Sequence, residues 1–212
     1  MIFYIVKFFL KIFYDPVLLG IYTYRWKKIN KHNFTYPVVI FPLEKVLVGN
    51  NTYGPLEVYS YTRKKDEFLC IGSFCSIAKG VKFILGGNHF SNFISTYPFK
   101  SFFLNEEEAF SKGDIILEDD VWIGTDCLIL SGVKLGQGCV VAAGSIVTKS
   151  FPPYSVIGGN PAKIIKKRFN DEIIEKLLKL DFNSLTDDFI KKNIDIFYSE
   201  DINKNLSLLK NV

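Results

Sequence analysis

Every sixth residue from Leu117 is aliphatic: Leu117, Ile123, Ile129, Leu135, Val141 and Val147. The position four later in each hexad is small or β-branched: Val121, Cys127, Val133, Cys139 and Ser145. A plain strand repeats every second residue and an amphipathic helix every 3.6. Neither yields a period of six held over six steps. The pattern specifies a triangular coil in which each hexad forms one flat side and turns its aliphatic residue inward. Three hexads close a turn, so Leu117 stacks on Leu135 and Ile123 on Val141. Each coil buries its interior only against its neighbours, so several coils must stack.

The same phase continues upstream. Ile71, Ile77 and Phe83 are six apart, with Cys75 and Val81 in the small position, and Val48-Gly49-Asn50-Asn51-Thr52 reads as a further hexad. Between Asn88 and about Gly113 the repeat vanishes. That interruption reads as a loop extruded from the coil, and such loops often carry function. The chain divides into an aromatic-rich, partly helical segment over 1–46, a β-helix over 47–158 with loop 89–112 inserted, and a basic, then helical, segment over 159–212. Asn170 and Thr186 are placed to cap two helices there.

At 212 residues and 48% hydrophobic content the chain has enough apolar material for one sizeable core. A net charge of +4 is too small to imply nucleic acid. None of the four cysteines forms a CxxC pair; Cys75, Cys127 and Cys139 fall on inward positions and read as small core residues, which suits a reducing, cytoplasmic setting. The opening MIFYIVKFFLKIFY is too short and too interrupted by Lys7 and Lys11 for a membrane span, and is expected to end at Asp15-Pro16. As a helix it either packs on the protein or rests on a membrane surface.

Two places invite chemistry. His89, one of two histidines, follows Gly86-Gly87-Asn88 where the rigid coil meets the loop. An imidazole held by a scaffold yet open to substrate suits proton abstraction from a hydroxyl or amine. After the coil's last hexad come Thr148-Lys149 and the cluster Lys163, Lys166, Lys167 and Arg168, which either holds phosphates or is a solvated basic face.

Several motifs in this order resemble one known group: Ile71-Gly72-x-Phe74-Cys75-Ser76-Ile77-Ala78, Gly86-Gly87-Asn88-His89, Ser95-Thr96-Tyr97-Pro98-Phe99, Gly113-Asp114-Ile115-Ile116, Asp120-Val121-Trp122-Ile123-Gly124 and Gly158-Gly159-Asn160-Pro161-Ala162-Lys163. From about Arg25 to Phe197 the chain resembles the hexapeptide-repeat acyltransferases of the xenobiotic (chloramphenicol/streptogramin) type, especially the chloramphenicol-acetyltransferase-B-like O-acetyltransferases of bacterial surface-polysaccharide clusters. The resemblance implies a mainly β protein, a left-handed parallel β-helix. It also implies a homotrimer with acetyl-CoA in the groove between subunits, no metal, and His89 as general base for direct attack by an acceptor hydroxyl. By the same resemblance Trp122, Thr125 and Ala143 line the pantetheine channel. Thr148, Lys149, Lys163 and Lys166 face the nucleotide end of CoA. Tyr53, Asn88 and Tyr97 help form the acceptor site. The run Leu104-Asn105-Glu106-Glu107-Glu108 departs from the family pattern and leaves the acceptor open. O-acetylation of a sugar is expected first, ahead of N-acetylation of an amino sugar or acetylation of an antibiotic.

Two rivals share the scaffold. A γ-class carbonic anhydrase needs three zinc-binding histidines, which His89 and His32 cannot supply. A non-catalytic hexapeptide scaffold would need neither His89 nor the basic exit.

Overall fold

A computed structural model describes residues 2–61 and 67–198, with residues 202 and 205; for residues 2–14 it describes the backbone alone. The coil is a three-sided, left-handed parallel β-helix. Its first face stacks β2 (Val46–Val48), β4 (Leu69–Ile71), β7 (Ile115–Leu117) and β10 (Lys134–Leu135). The second stacks the start of β3 (Tyr53–Ser60), then β5 (Ser76–Ile77), β8 (Trp122–Ile123), β11 (Val140–Val141) and β13 (Ser155–Gly159). The third stacks the end of β3, then β6 (Lys82–Leu85), β9 (Leu128–Leu130) and β12 (Ile146–Val147). β1 (Phe34–Pro37) pairs with β3 at one end of the second face, and β14 (Ala162–Lys167) folds back antiparallel on β13 at the other.

The register is the one the ladder requires. Leu135 pairs with Leu117, Val141 with Ile123 and Val147 with Ile129. Upstream, Leu117 pairs with Ile71, Ile123 with Ile77 and Ile129 with Phe83. All these side chains are buried, as are the small-position Val121, Cys127, Val133, Cys139 and Ser145. Burying each large aliphatic contributes about 1.5–3 kcal/mol, repeated along three parallel columns.

What turns the chain at each corner was not part of the sequence reading. Three residues after nine of the inward side chains, from Val48 to Val141, the backbone takes a positive φ: Asn51, Phe74, Gly80, Gly86, Asp120, Asp126, Gly132, Gly138 and Gly144. Glycine, asparagine and aspartate take this conformation at low cost, which explains most of these choices. Phe74 pays more for it, and its ring packs on Phe182.

The N-terminal helix, α1 (Ile2–Ile29), does not stop at Asp15-Pro16 as the sequence suggested; it runs through Pro16. Proline removes one interior hydrogen bond, and anchoring beyond it offsets that loss. Trp26 is buried against Phe41, its indole N–H donates to Thr35 Oγ1 at 3.1 Å, and Tyr22 also packs edge-on against Phe41. The expected membrane contact of residues 1–14 rests on side chains outside the described residues. No helix among the described residues is long and apolar enough to cross a membrane.

Both expected C-terminal caps form. Asn170 accepts from Ile173 N–H at the start of α3 (Asp171–Leu177), and Thr186 accepts from Phe189 N–H at the start of α4 (Asp187–Lys192). The basic exit forms a strand, β14, and Arg168 after it ties the tail to the coil. Its guanidinium donates to Asp120 Oδ2 at 2.9 Å and Gly138 O at 2.8 Å, and lies over the Tyr154 and Phe169 rings.

Candidate active site

The loop leaves the coil at the corner after β6 and returns before β7. Its two ends are joined there: Asn88 and Phe110 exchange backbone hydrogen bonds, both at 3.0 Å. The Asn88 amide donates to Phe110 O at 3.2 Å and to Ser131 Oγ at 3.0 Å, at the same corner one coil further on. His89 follows immediately and is exposed. Its Nδ1 lies 3.0 Å from Thr96 O. A carbonyl oxygen only accepts, so Nδ1 carries the hydrogen and a neutral ring leaves the Nε2 lone pair available. Tautomer and ring orientation are thus set by the loop's own backbone. Thr96 O is a functional group the sequence reading missed, since a main-chain carbonyl has no signature.

The loop is aromatic. Tyr97 stacks on Phe102 at 5.4 Å and meets Phe99 edge-on at 4.8 Å, the latter pair spanning the start of α2 (Phe99–Phe103). Tyr97, Phe99, Phe102 and Phe103 are all exposed.

The residues expected to meet CoA divide between two corners. Trp122 stands exposed on the second face, where its backbone pairs with Ser76 and Val140. Thr125 and Ala143 stack at the corner between the second and third faces, where Gly144 N–H donates to Thr125 O at 2.8 Å. Small residues are needed there: a Cβ on Gly124 would lie 2.7 Å from Ala143 N, which is backbone and cannot yield. Lys163 and Lys166 lie exposed on β14, which extends the second face. Thr148 and Lys149 follow β12 and therefore sit at the corner that bears the His89 loop. Tyr53 lies in the Ser76–Trp122 column, away from Asn88 and Tyr97.

A single chain therefore brings His89, Asn88, Tyr97, Thr148 and Lys149 to one corner. It places Trp122, Thr125, Ala143, Lys163, Lys166 and Tyr53 on another corner and face, with the whole third face between the two groups. A cavity of about 620 Å³ opens beside Thr125, lined by Val38, Pro55, Glu57, Lys79 and Asp126 among others; Lys79, Glu57 and Asp126 carried no signal in the sequence reading.

No cysteine is poised as a nucleophile. Burial pushes the Cys75 thiol up to about 12 and raises those of Cys127, Cys139 and Cys70. The three buried sulfurs donate instead to carbonyls of Glu118, Ala142 and Pro152 at 3.1–3.2 Å. Among the described residues no three His, Cys, Asp or Glu side chains gather as metal ligands. An exposed imidazole, a small-residue corner and a basic strand, set apart on one rigid prism, place the chain in the class of parallel β-helical proteins.

Comparison with known proteins narrows the class. The family described as the hexapeptide repeat of succinyl-transferase matches residues 114–149. A probable macrolide acetyltransferase of Lysinibacillus sphaericus is 48% identical over 140 residues, covering 62% of this chain and 78% of that protein. A virginiamycin A acetyltransferase of Staphylococcus aureus is 39% identical over 175 residues, covering 75% and 80%. A chloramphenicol acetyltransferase of Klebsiella aerogenes is 42% identical over 144 residues, covering 63% and 68%. Among solved structures, a hexapeptide-repeat acetyltransferase from Vibrio cholerae superposes with TM-score 0.51 at 25% identity, over 68% of this chain and 78% of that one. The chain belongs to the hexapeptide-repeat acetyltransferases of the xenobiotic type. It is an acyltransferase.

Proposed function

We propose that the protein is an O-acetyltransferase that moves the acetyl group of acetyl-CoA to a sugar hydroxyl, of a surface polysaccharide or its precursor, with His89 as general base. The observation that carries this reading is the His89 tautomer: Nδ1–H is committed to Thr96 O, and an exposed Nε2 is left to receive a proton. The acceptor oxygen attacks the thioester carbonyl as its proton passes to Nε2. The C–S bond then breaks, and the same proton is delivered to the departing sulfur. The raised thiols of all four cysteines favour this direct transfer over an acyl-enzyme.

The assembly is a homotrimer, and each site is shared between two copies. The separation of His89 from Trp122, Thr125 and Ala143 within one chain supports this, because transfer needs base and donor within hydrogen-bond reach. The pantetheine arm runs past Trp122, Thr125 and Ala143, whose small-residue corner admits it closely. Lys149, Lys163 and Lys166, with Thr148, face the phosphates. Tyr53, Asn88 and Tyr97 border the acceptor, and the exposed aromatic loop offers ring faces to the C–H faces of a sugar. The protein works in the cytoplasm, with residues 1–14 touching the membrane surface.

A second reading, acetylation of an antibiotic hydroxyl, is favoured by the names of the relatives. Release of free CoA thiol from acetyl-CoA against a panel of glycans, nucleotide sugars, chloramphenicol and a macrolide decides between the two. Turnover with a glycan or nucleotide sugar that is lost in His89→Ala is expected. Turnover confined to the antibiotics overturns the sugar reading, and undiminished turnover in His89→Ala overturns the base.

A further inference from the structure

The geometry points to Ser131 as the positioning residue for His89, an inference that rests on His89 being the base. Ser131 is buried in the corner turn after β9, a full coil beyond the point where the loop departs. Its hydroxyl oxygen takes the Asn88 amide at 3.0 Å from the outgoing end of the loop, and the Lys112 backbone N–H at 3.4 Å from the returning end. One oxygen thus bridges both ends of the excursion. The next residue, Gly132, completes the clasp, with its N–H donating to Gly113 O at 2.9 Å. Its φ of 79° permits the close approach, since a Cβ there would sit 2.7 Å from Lys112 O.

Two further contacts among the described residues bear on the ends of the loop. Ser111 Oγ donates to Glu67, and Asn88 and Phe110 bond to each other; that latter pair closes the loop on itself without fixing it to the prism. The Asn88–Ser131 contact fixes it one residue from the base. Two restraints then act in series. Ser131 sets where the His89 backbone stands relative to the coil, and Thr96 O sets how the ring is turned. A misplacement of about 1 Å in such a constellation can cost on the order of a hundredfold in rate. Ser131 touches no reacting atom in this scheme, so its loss acts on turnover and leaves donor binding alone.

The test compares Ser131→Ala, Ser131→Thr, His89→Ala and Ser155→Ala. Ser155 is a buried control whose hydroxyl has no hydrogen-bond partner among the described residues and which lies outside the site. With the best acceptor of the panel, Ser131→Ala is expected to lower kcat by roughly ten- to a hundredfold with the KM for acetyl-CoA unchanged. Ser131→Thr, which keeps the oxygen, is expected to recover most of the loss, and Ser155→Ala to match the wild type. Independently of any acceptor, hydrogen exchange in residues 88–112 is expected to quicken in Ser131→Ala while the ladder strands stay protected. Wild-type kcat in Ser131→Ala, or wild-type exchange across 88–112, overturns the positioning role. Full activity in His89→Ala overturns the underlying assignment of the base instead, so the two failures are distinguishable.

Discussion

If each site is built from two copies, two inactive chains should repair each other. His89→Ala removes the base from one corner. Ala143→Trp fills the stacked corner beside Thr125, where Ala143 is exposed and a larger side chain disturbs no core. Each variant alone should turn over at background. In a cyclic trimer every site pairs the base corner of one copy with the donor corner of the next. Any mixed trimer, whichever variant is in excess, then contains one junction where an intact His89 faces an intact Ala143, about one site in three. Random co-expression in equal amounts makes about three trimers in four mixed, so the pool recovers roughly one quarter of wild-type activity per site. Co-expression with two affinity tags, sequential purification and the free-thiol assay read this directly. Background activity in verified mixed trimers would refute the shared site. Near-wild-type activity of Ala143→Trp alone would show that the donor does not pass that corner.

Three further outcomes are expected. Ile129, fully buried between Phe83 and Val147, should cost about 2–5 kcal/mol as Ile129→Ala and about 1 kcal/mol as Ile129→Val in denaturant unfolding; equal costs would contradict the stacked ladder. Burial holds the Cys75 thiol near 12 against 9.0 for a free one, so ionisation favours the unfolded chain as pH rises above 9. The wild type should therefore lose about 2 kcal/mol more than Cys75→Ala between pH 8 and 10.5, and parallel losses in denaturant midpoints would contradict this. Binding to anionic liposomes, abolished by deleting residues 1–14, is expected from the apolar helix with Lys7 and Lys11; absence of binding by the intact protein removes the membrane contact.

The coil was legible because its physics is local and repetitive. One inward aliphatic per side, held through Leu117, Ile123 and Ile129, leaves few other solutions, and the pairing of Ile71, Ile77 and Phe83 follows from phase alone. α1 was misjudged at Pro16 because a proline's local penalty is visible in sequence, whereas the burial of Trp26 ten residues on is not. The basic exit was read as charge, although Val156 pairing with Lys166 makes it a strand; alternation is faint when one face of a strand is solvated. At the site, His89 stood out as a rare titratable residue at a break in the repeat. Thr96 O and Ser131 did not. A main-chain carbonyl and a corner serine acquire meaning only when residues 7 and 42 positions from His89 are brought beside its loop.

The loop also leaves a mark on the register. Forty-six residues separate Ile71 from Leu117, against eighteen between Leu117 and Leu135, yet both pairs stack in phase. An insertion of any length is invisible to the ladder if it starts and ends at the same corner, whereas one residue added within a hexad rotates every later side chain out of the interior. The fold thus accepts change in whole cassettes at its corners and rejects it along its sides. Exchanging the segment between Asn88 and Lys112 therefore leaves the phase of every ladder strand as it stands.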